Sequence, residues 1–224
     1  MSWTRWQKSN PLLNLRSPAD ETLSSGKLHN SLRAHFSMNK AIQIAIIGAG
    51  PLGRRLAFHA ARSGFRVFLE DVMPANLRHA EEALRLELGP SGMPLVSFAT
   101  TVEDAVREAD LAIDCVPDEL ESKLEIFSLL DRMAPPRTVF ATPTIDLSIA
   151  DLASCTYRAD QCVGIAIRAS QFSEELSGDG EPRPIPIRVT TLTSDYAREL
   201  VCNFWQRLGY APLVEMDRAE ALLR

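Results

Sequence analysis

The sequence predicts an α/β fold, a single domain with one doubly wound, mostly parallel β-sheet and helices on both faces. Two observations support this prediction. After residue 40, short apolar runs alternate regularly with amphipathic stretches, which is the pattern of repeated strand–helix–strand units. The chain has 224 residues, of which 46% are hydrophobic, so it is long and apolar enough to bury a substantial core.

The predicted elements begin directly after residue 40. Residues 42–47 form a continuous apolar run, which is typical of a strand that is buried on both faces. Residues 51–63 follow as a helix, and Gly64 is expected to end it because glycine readily adopts the conformation found after helix C-termini. A second apolar run at residues 67–70 is the next strand. This order predicts that the two strands are parallel.

The same alternation continues to about residue 141. Residues 74–88 carry leucines along one helical face, and the turn Gly89-Pro-Ser-Gly92 is expected to close this helix. The further predicted elements are strands at 95–99, 111–116 and 138–141, with helices at 102–110 and 119–133. Five strands joined by helical connections predict the parallel part of the sheet.

The C-terminal third is expected to add strands to this sheet. Ser194 is a favourable N-cap, and Gly209 is placed to end the helix that Ser194 begins. The predicted elements are a helical turn at 148–153, a strand at 161–167, a loop with Gly178 and Gly180, a strand at 185–192, a helix to residue 208 and a last strand at 211–214.

Charge and cysteine content exclude several classes of protein. After residue 40 the chain holds 18 basic and 27 acidic side chains, a net charge of −9, and such a surface repels nucleic-acid phosphates. No apolar run reaches about 18 residues, so no membrane span is expected. The four cysteines form no C-x-x-C pair and have no histidines nearby. We therefore expect no metal site, and reduced thiols in a cytoplasmic protein.

A glycine-rich turn links the first predicted strand to the first helix. The segment Gly48-Ala-Gly50-Pro-Leu-Gly53 fits the pattern G-x-G-x-x-G in this strand-to-helix context. Gly48 allows a tight turn, Gly50 lets a pyrophosphate approach the backbone, and Gly53 lets the helix pack against the strand. The helix N-terminus supplies N–H groups to the phosphates, and the fixed φ of Pro51 suits its first turn. This loop, which includes Leu52, predicts a dinucleotide site in a Rossmann-type domain.

Two acidic residues stand at the end of the second predicted strand. Glu70 and Asp71 are 22 and 23 residues after Gly48, a spacing at which a carboxylate accepts hydrogen bonds from the adenosine ribose. An acid at this place disfavours a 2′-phosphate, and no arginine occupies this strand end. NAD is therefore the predicted cofactor, rather than NADP. The alternative is a glycine-rich turn in a doubly wound domain that binds another ligand.

Longer stretches of the sequence resemble one enzyme family. The segments IAIIGAGPLGRRLAFHAARSGFRVFLED, ADLAIDCVPDELESKLEIFSLLDRMAPPRTVFAT and LSIADLA are similar to the NAD-binding domain of the 3-hydroxyacyl-CoA dehydrogenases. The resemblance covers most of the chain after the first 40 residues. It implies that Asp71 holds the adenosine ribose and that Val116 and Pro117 line the cofactor cleft. By the same resemblance, Asp118 and Lys123 would lie near the nicotinamide half.

The resemblance also suggests how the chain is divided. Residues 1–40 are rich in serine, asparagine and proline and lack periodicity, so we predict a disordered extension, or one mis-assigned upstream of a natural start at Met38. Residues 41–218 are the predicted NAD-binding Rossmann domain, and residues 219–224 are a short tail. The family has a helical arm after its second strand and a second helical domain after the position of Asp217. We expect neither in this sequence.

The family's catalytic residues have no counterparts at the matching positions. Its segment Asn-Thr-Ser-Ser corresponds to Pro143-Thr-Ile-Asp146, so Pro143 and Ile145 stand where the family has asparagine and serine. The position of its catalytic histidine corresponds to Ala166, and an alanine cannot accept a proton. The carboxylate partner of that histidine is expected to be absent as well. The chain has four histidines, all within its first 79 residues: His29, His35, His59 and His79.

No catalytic residue is therefore predicted. A replacement acid or base would have to come from a small set of side chains, each of which is more typical of a structural or solvated role. These candidates are Asp146, Tyr157, Lys123 and Glu174. Cys115 is interpreted as a small buried strand residue.

Three functions fit these observations. The first is an NAD-dependent oxidoreductase, by family of fatty-acid metabolism, that acts on a small hydroxy or oxo compound and does not turn over 3-hydroxyacyl-CoA on its own. The second is a non-catalytic dinucleotide-binding pseudoenzyme, or a subunit of a larger assembly. The third is a split enzyme whose helical domain is a separate chain. An open sheet without a covering domain exposes apolar surface, which predicts a homodimer or a partner subunit.

Overall fold

The computed structural model of this protein describes residues 42–167 and 182–217. Three predictions fall outside the described residues: the extension at 1–40, the loop with Gly178 and Gly180, and the tail at 219–224. The boundaries of the NAD-binding domain therefore stay predictions.

The strands of the described residues form one eight-stranded sheet. They are β1 (Gln43–Ile47), β2 (Arg66–Glu70), β3 (Val96–Ala99), β4 (Leu111–Asp114), β5 (Val139–Pro143), β6 (Cys162–Ile165), β7 (Arg183–Val189) and β8 (Tyr210–Met216). Their order across the sheet is β3-β2-β1-β4-β5-β6-β7-β8. Neighbouring strands are parallel except β6 and β7, which are antiparallel. This arrangement confirms the predicted doubly wound, mostly parallel sheet.

Helices connect most of these strands. In the described part of the chain they are α1 (Pro51–Arg62), α2 (Pro74–Gly92), α3 (Val102–Val106), α4 (Leu120–Met133), α5 (Ile149–Ala153) and α6 (Asp195–Arg207). The hydroxyl oxygens of Thr101, Ser148 and Ser194 each accept a hydrogen bond from a first-turn N–H and so begin α3, α5 and α6. None of the helices described is long and apolar enough to cross a membrane.

Several elements differ from their predicted extent; the helix predicted at 102–110 ends at Val106, and the last strand runs over Tyr210–Met216. The helix predicted to close at Gly89-Pro-Ser-Gly92 continues to Gly92, with a kink at Gly89, where φ is 62°. A further turn begins at Pro90, because proline is well tolerated at the start of a helical segment. The strand predicted to reach residue 192 ends at Val189. There the Thr193 hydroxyl oxygen accepts a hydrogen bond from Thr190 N–H at 2.9 Å, which turns the chain.

Buried side chains pack on both faces of the sheet. Along β1, Ile44 and Ile46 belong to one cluster, while Ala45 and Ile47 belong to the other. The first cluster includes Trp205 of α6, which is fully buried and makes an edge contact with Tyr210 at 5.2 Å between ring centroids. The second includes Phe127 of α4 and Phe140 of β5. Because both faces are covered, the central strands are continuous apolar runs.

β8 lies at an edge of the described sheet and has β7 as its neighbour. Leu213 and Val214 of this strand are 45% and 47% exposed. The N–H of Asp217 donates to Val189 O on β7 at 2.8 Å. Since successive residues of a strand point in alternate directions within the sheet, the nitrogen of Pro212 faces the open edge. Proline is tolerated there because that side of β8 needs no ladder donor.

The start of α1 lies very close to the end of β1. A Cβ atom on Gly53 would be 1.9 Å from the carbonyl oxygen of Gly48, so no side chain fits at this position. Gly48 has φ of 105°, which favours glycine. Gly50 has φ of −66°, and a Cβ atom there would meet no atom within 4 Å. The fold therefore requires Gly48 and Gly53, but not Gly50.

We expect Gly53→Ala to lower the free energy of unfolding by roughly 1–3 kcal/mol, because the helix must move away from the strand to admit the methyl group. Gly50→Ala makes the same change in the same loop and is the matched control, with an expected effect of about 0.5 kcal/mol or less. Urea unfolding followed by circular dichroism gives both values. Equal free energies of unfolding for the two variants would show that α1 can move away from β1 at little energetic cost.

Candidate cofactor site

A cleft of about 1370 Å³ opens at the carboxyl ends of β1 and β4. These strands are neighbours, but the sheet extends from β1 through β2 to β3 on one side and from β4 to β5 on the other. The loops that follow the two strands therefore diverge and leave space between them. This is the usual ligand position in open α/β sheets. The glycine loop and the residues after β2 and β4 line the cleft.

The glycine loop is fixed to both neighbouring strands. Gly48 N–H donates to Glu70 O at 2.8 Å, and Cys115 N–H donates to Ile47 O at 2.7 Å. Gly50 lines the cleft and has open space where a side chain would begin. α1 starts directly afterwards at Pro51, so N–H groups of its first turn are left without helical partners. Open backbone at a helix N-terminus suits a diphosphate, because the N–H groups and the helix dipole both favour negative charge.

Asp71 connects the end of β2 to this loop. It is 8% exposed and lines the cleft. Its Oδ2 accepts a hydrogen bond from Ala49 N–H at 2.9 Å, and its Oδ1 accepts one from Met73 N–H at 2.8 Å. The side-chain amide of Asn76 lies 3.1 Å from both carboxylate oxygens. The residue predicted to hold the ribose is therefore next to the glycine loop, with its carboxylate directed by backbone donors.

Glu70 places a second carboxyl group in the same region. It is the last residue of β2, is 4% exposed and lines the cleft. Burial, and to a lesser extent the charge of Asp71, raise the pKa of Glu70 from 4.5 to about 7. Near neutral pH this group is therefore partly protonated. An acid directly after the apolar residues 67–69 was the sequence signal for a carboxyl group with a shifted pKa.

The opposite side of the cleft follows β4. Val116, Pro117 and Asp118 all line it. Val116 N–H donates to Asp114 Oδ1 at 3.1 Å, and Asp118 Oδ2 accepts a hydrogen bond from Ile145 N–H at 3.3 Å. The loops after β4 and β5 are thus tied to each other. Together they form the wall at which the nicotinamide half was expected.

Lys123 lies beneath the cleft-lining loop after β4, and its place near the nicotinamide half stays a prediction. It lies on α4, is fully buried, and does not line the cleft. Its Nζ is 3.1 Å from Oδ2 of Asp114, which is also fully buried and accepts a further hydrogen bond from the Thr142 hydroxyl. Burial raises the pKa of Asp114, whereas the Lys123 ammonium and the Thr142 hydroxyl act in the opposite direction. Lys123 therefore neutralises Asp114 beneath the loop after β4.

The positions that correspond to the catalytic segments come together beside this wall. Pro143 and Ile145 line the cleft, and Ala166 directly follows β6. Ala166 N–H donates to the carbonyl oxygen of Pro186 on β7 at 3.0 Å. The position of the carboxylate partner is expected about twelve residues after Ala166, near Gly178, and lies outside the described residues. Pro143, Ile145 and Ala166 carry no side chain that accepts a proton.

The histidines do not fill this gap within the described residues. His59 is buried in α1, where burial, and then the charges of Arg55 and Arg62, lower its pKa to about 4. His79 is exposed on α2, and neither histidine lines the cleft. His29 and His35 lie outside the described residues.

The other side chains considered as an acid or base do not lie together in the cleft. Asp146 and Cys115 line the cleft, and burial raises the pKa of the Cys115 thiol. Tyr157 is fully exposed and does not line the cleft. Glu174 lies outside the described residues. All four cysteines are free thiols, and the described residues hold no cluster of His, Cys, Asp or Glu that suits a metal ion.

Sequence reasoning missed one buried cation. Arg188 lies on β7, is 3% exposed, and its Nη2 donates a hydrogen bond to the carbonyl oxygen of Ile145. Because Asp118 accepts from Ile145 N–H, charged side chains hold both polar groups of this residue. The available signal was a basic residue within the predicted strand at 185–192. Arg188 thereby fixes the backbone at the cleft-lining end of β5.

The structure brings most of the predicted cofactor residues to one cleft. Those that line it are Gly48, Gly50, Pro51, Leu52, Asp71, Val116, Pro117 and Asp118. Gly53 packs against Gly48, and Lys123 is enclosed beneath the loop after β4. Which of these residues contact a bound cofactor stays a prediction.

The raised pKa of Glu70 predicts a pH effect on stability. Between about pH 4.5 and pH 7 the folded chain keeps a proton on Glu70 that the unfolded chain has lost, so the free energy of unfolding falls as pH rises. We expect this loss to reach roughly 1–3 kcal/mol and to disappear in Glu70→Gln. Chemical denaturation of both proteins at pH 5 and pH 8 measures it. Parallel pH dependences would contradict the raised pKa.

Residues 43–166, more than half of the chain, match the family described as 3-hydroxyacyl-CoA dehydrogenase, NAD binding domain. A probable 3-hydroxybutyryl-CoA dehydrogenase of Bacillus subtilis is 35% identical over 136 residues, which are 55% of this chain and 47% of the relative. A 5-formyl-3-hydroxy-2-methylpyridine 4-carboxylate 5-dehydrogenase of Mesorhizobium japonicum is 31% identical over 132 residues, which are 54% of this chain and 43% of the relative.

A solved structure agrees with the fold. The (S)-3-hydroxybutyryl-CoA dehydrogenase of Ralstonia eutropha superposes with a TM-score of 0.70 at 20% identity, over 80% of this chain and 64% of that protein. The chain spans about half the length of these two curated relatives. The matched region contains the glycine loop, Asp71 and the loop after β4. The chain therefore belongs to the family of 3-hydroxyacyl-CoA dehydrogenase NAD-binding domains, an oxidoreductase family, and its cofactor is NAD.

Proposed function

We propose that this protein binds NAD in the cleft between the loops after β1, β2 and β4. The diphosphate would lie against Gly50 and the first turn of α1, and the adenosine ribose would lie at Asp71. The nicotinamide half would extend along Val116, Pro117 and Asp118. The observation that carries this proposal is the open backbone at Gly50 beside a helix N-terminus, since it matches the shape and the charge of a diphosphate.

Bound NAD supplies a hydride acceptor, and the chain's own residues supply the surroundings. The bonds from Ala49 and Met73 to Asp71 orient the carboxylate before the cofactor arrives. On the opposite wall, the buried pair of Lys123 and Asp114 holds the loop after β4 through the bond from Val116 N–H to Asp114. A cofactor site that is organised in advance loses little conformational entropy on binding.

We further propose that the described cleft does not catalyse 3-hydroxyacyl-CoA oxidation by itself. Such a reaction needs a base that accepts the proton of the hydroxyl group as the hydride leaves. Ala166 stands at the position that corresponds to the base, and Ile145 stands at the serine position. Each of these side chains lacks a group that transfers a proton at neutral pH.

A second candidate function is oxidation or reduction of another small hydroxy or oxo compound. One observation favours it: the Mesorhizobium japonicum relative, 31% identical, is named for a pyridine aldehyde and not for a CoA thioester. Of the predicted acid–base candidates within the described residues, Asp146 lines the cleft and would serve such a substrate. The alternative is a non-catalytic NAD(H)-binding subunit that works as a homodimer or with a partner chain.

Titration calorimetry with NAD and NADH, together with an acetoacetyl-CoA reduction assay, separates these functions. We expect binding of both nucleotides, without measurable turnover of acetoacetyl-CoA. A general acid or base typically raises the rate by about 10²–10⁴. A reduction rate that is lower than the family's normal rate by this factor agrees with a lost base. Turnover at a rate normal for the family would refute the proposed loss of activity. Absence of binding would refute the cofactor site itself.

A second measurement tests the ribose position. We expect Asp71→Ala to weaken NAD binding by about tenfold, because two charge-assisted hydrogen bonds to the ribose are lost. Its preference for NAD over NADP should also shrink, since the acid no longer repels the 2′-phosphate. Asp195→Ala removes an exposed acid from α6, outside the cleft lining, and serves as the control. An unchanged ratio of the two affinities in Asp71→Ala would place the ribose elsewhere.

A further inference from the structure

The carboxylate of Asp71 already has a full set of hydrogen-bond donors. Oδ1 accepts from Met73 N–H at 2.8 Å and from the Asn76 amide at 3.1 Å. Oδ2 accepts from Ala49 N–H at 2.9 Å and from the same Asn76 amide at 3.1 Å. An ionised carboxylate has about four acceptor positions. A ribose that binds Asp71 must therefore displace donors that are present in the free protein.

The four hydrogen bonds differ in how readily they can be released. Those from Ala49 and Met73 come from backbone groups of the glycine loop and of the turn before α2, so they persist as long as the fold does. Those from Asn76 come from a side chain in the first turn of α2. Asn76 is exposed and lines the cleft, so its amide can rotate into solvent. A ligand that binds Asp71 must therefore displace the amide of Asn76.

We propose that Asn76 occupies the place of the adenosine ribose in the free protein and sets the affinity for ligands that carry a vicinal diol. This inference rests on the proposed NAD site. The amide nitrogen of Asn76 reaches both oxygens of Asp71, just as the 2′- and 3′-hydroxyls of a ribose would. A diol replaces both bonds, so the exchange is nearly balanced. A ribose 2′-phosphate replaces only one and brings negative charge to Asp71, so Asn76 adds to the discrimination against NADP.

The test is a fluorescence titration of NADH against the wild type and two variants, Asn76→Ala and Asn76→Ser. Neither variant can bridge both oxygens of Asp71, so the ribose no longer competes with an internal donor. We expect the Kd for NADH to fall about 3- to 10-fold in both, since two exposed hydrogen bonds need not be broken. ADP-ribose, which has the same diol but no nicotinamide, should show the same gain.

His79→Ala is the matched control, because His79 is also exposed on α2 but does not line the cleft. Its Kd for NADH should equal that of the wild type. Asn76 is an exposed helical position, so both variants are expected to fold, and their circular dichroism checks this. A nuclear magnetic resonance spectrum supplies a second readout: the Asn76 side-chain amide signal, identified by its loss in Asn76→Ala, should shift when NADH saturates the wild type.

The outcomes separate this inference from the proposed function. Tighter NADH binding by both variants, with a shifted amide signal in the wild type, supports the displacement of Asn76. Unchanged or weaker binding by the variants, while the wild type binds NADH, overturns the displacement and leaves the NAD site intact. A wild type that does not bind NADH overturns both.

Discussion

The approach of α1 to β1 is the constraint on which the cleft depends. A Cβ atom on Gly53 would be only 1.9 Å from the carbonyl oxygen of Gly48. The absence of a side chain at Gly53 therefore lets the start of α1 lie directly against the end of β1. This closeness aims the first turn of α1 at the space between β1 and β4. It also brings Ala49 within hydrogen-bond distance of Asp71, so the positions proposed for the ribose and the diphosphate form one continuous surface.

A buried charge pair supports the other wall of the same cleft. Asp114 ends β4 inside the protein, where an unpaired carboxylate is very unfavourable, and Lys123 and Thr142 satisfy it. The resemblance implies that Lys123 lies near the nicotinamide half, which stays a prediction, and α4 directs its side chain into the interior. Its effect on the cleft is transmitted through the bond from Val116 N–H to Asp114.

Local chemistry explains how much of this could be predicted from the sequence. The alternating pattern predicted the sheet, and Gly64, Ser194 and Gly209 predicted helix ends, because these features depend on neighbouring residues. Asn76 and Arg188 were not predicted, since their roles depend on partners 5 and 43 residues away, Asp71 and Ile145. The kink at Gly89 was missed because Gly-Pro suits both a loop and the start of a new helical turn.

The outer strand of the sheet leads to one more consequence. Leu213 and Val214 make β8 apolar, and an apolar edge strand invites another chain to add to the sheet by backbone pairing. Pro212 removes the hydrogen donor from the middle of that edge, and its ring occupies the space that an incoming strand would need. An uninterrupted intermolecular ladder along β8 is therefore disfavoured, because the ladder would lack the donor at Pro212. Pro212 therefore disfavours aggregation through an apolar edge strand.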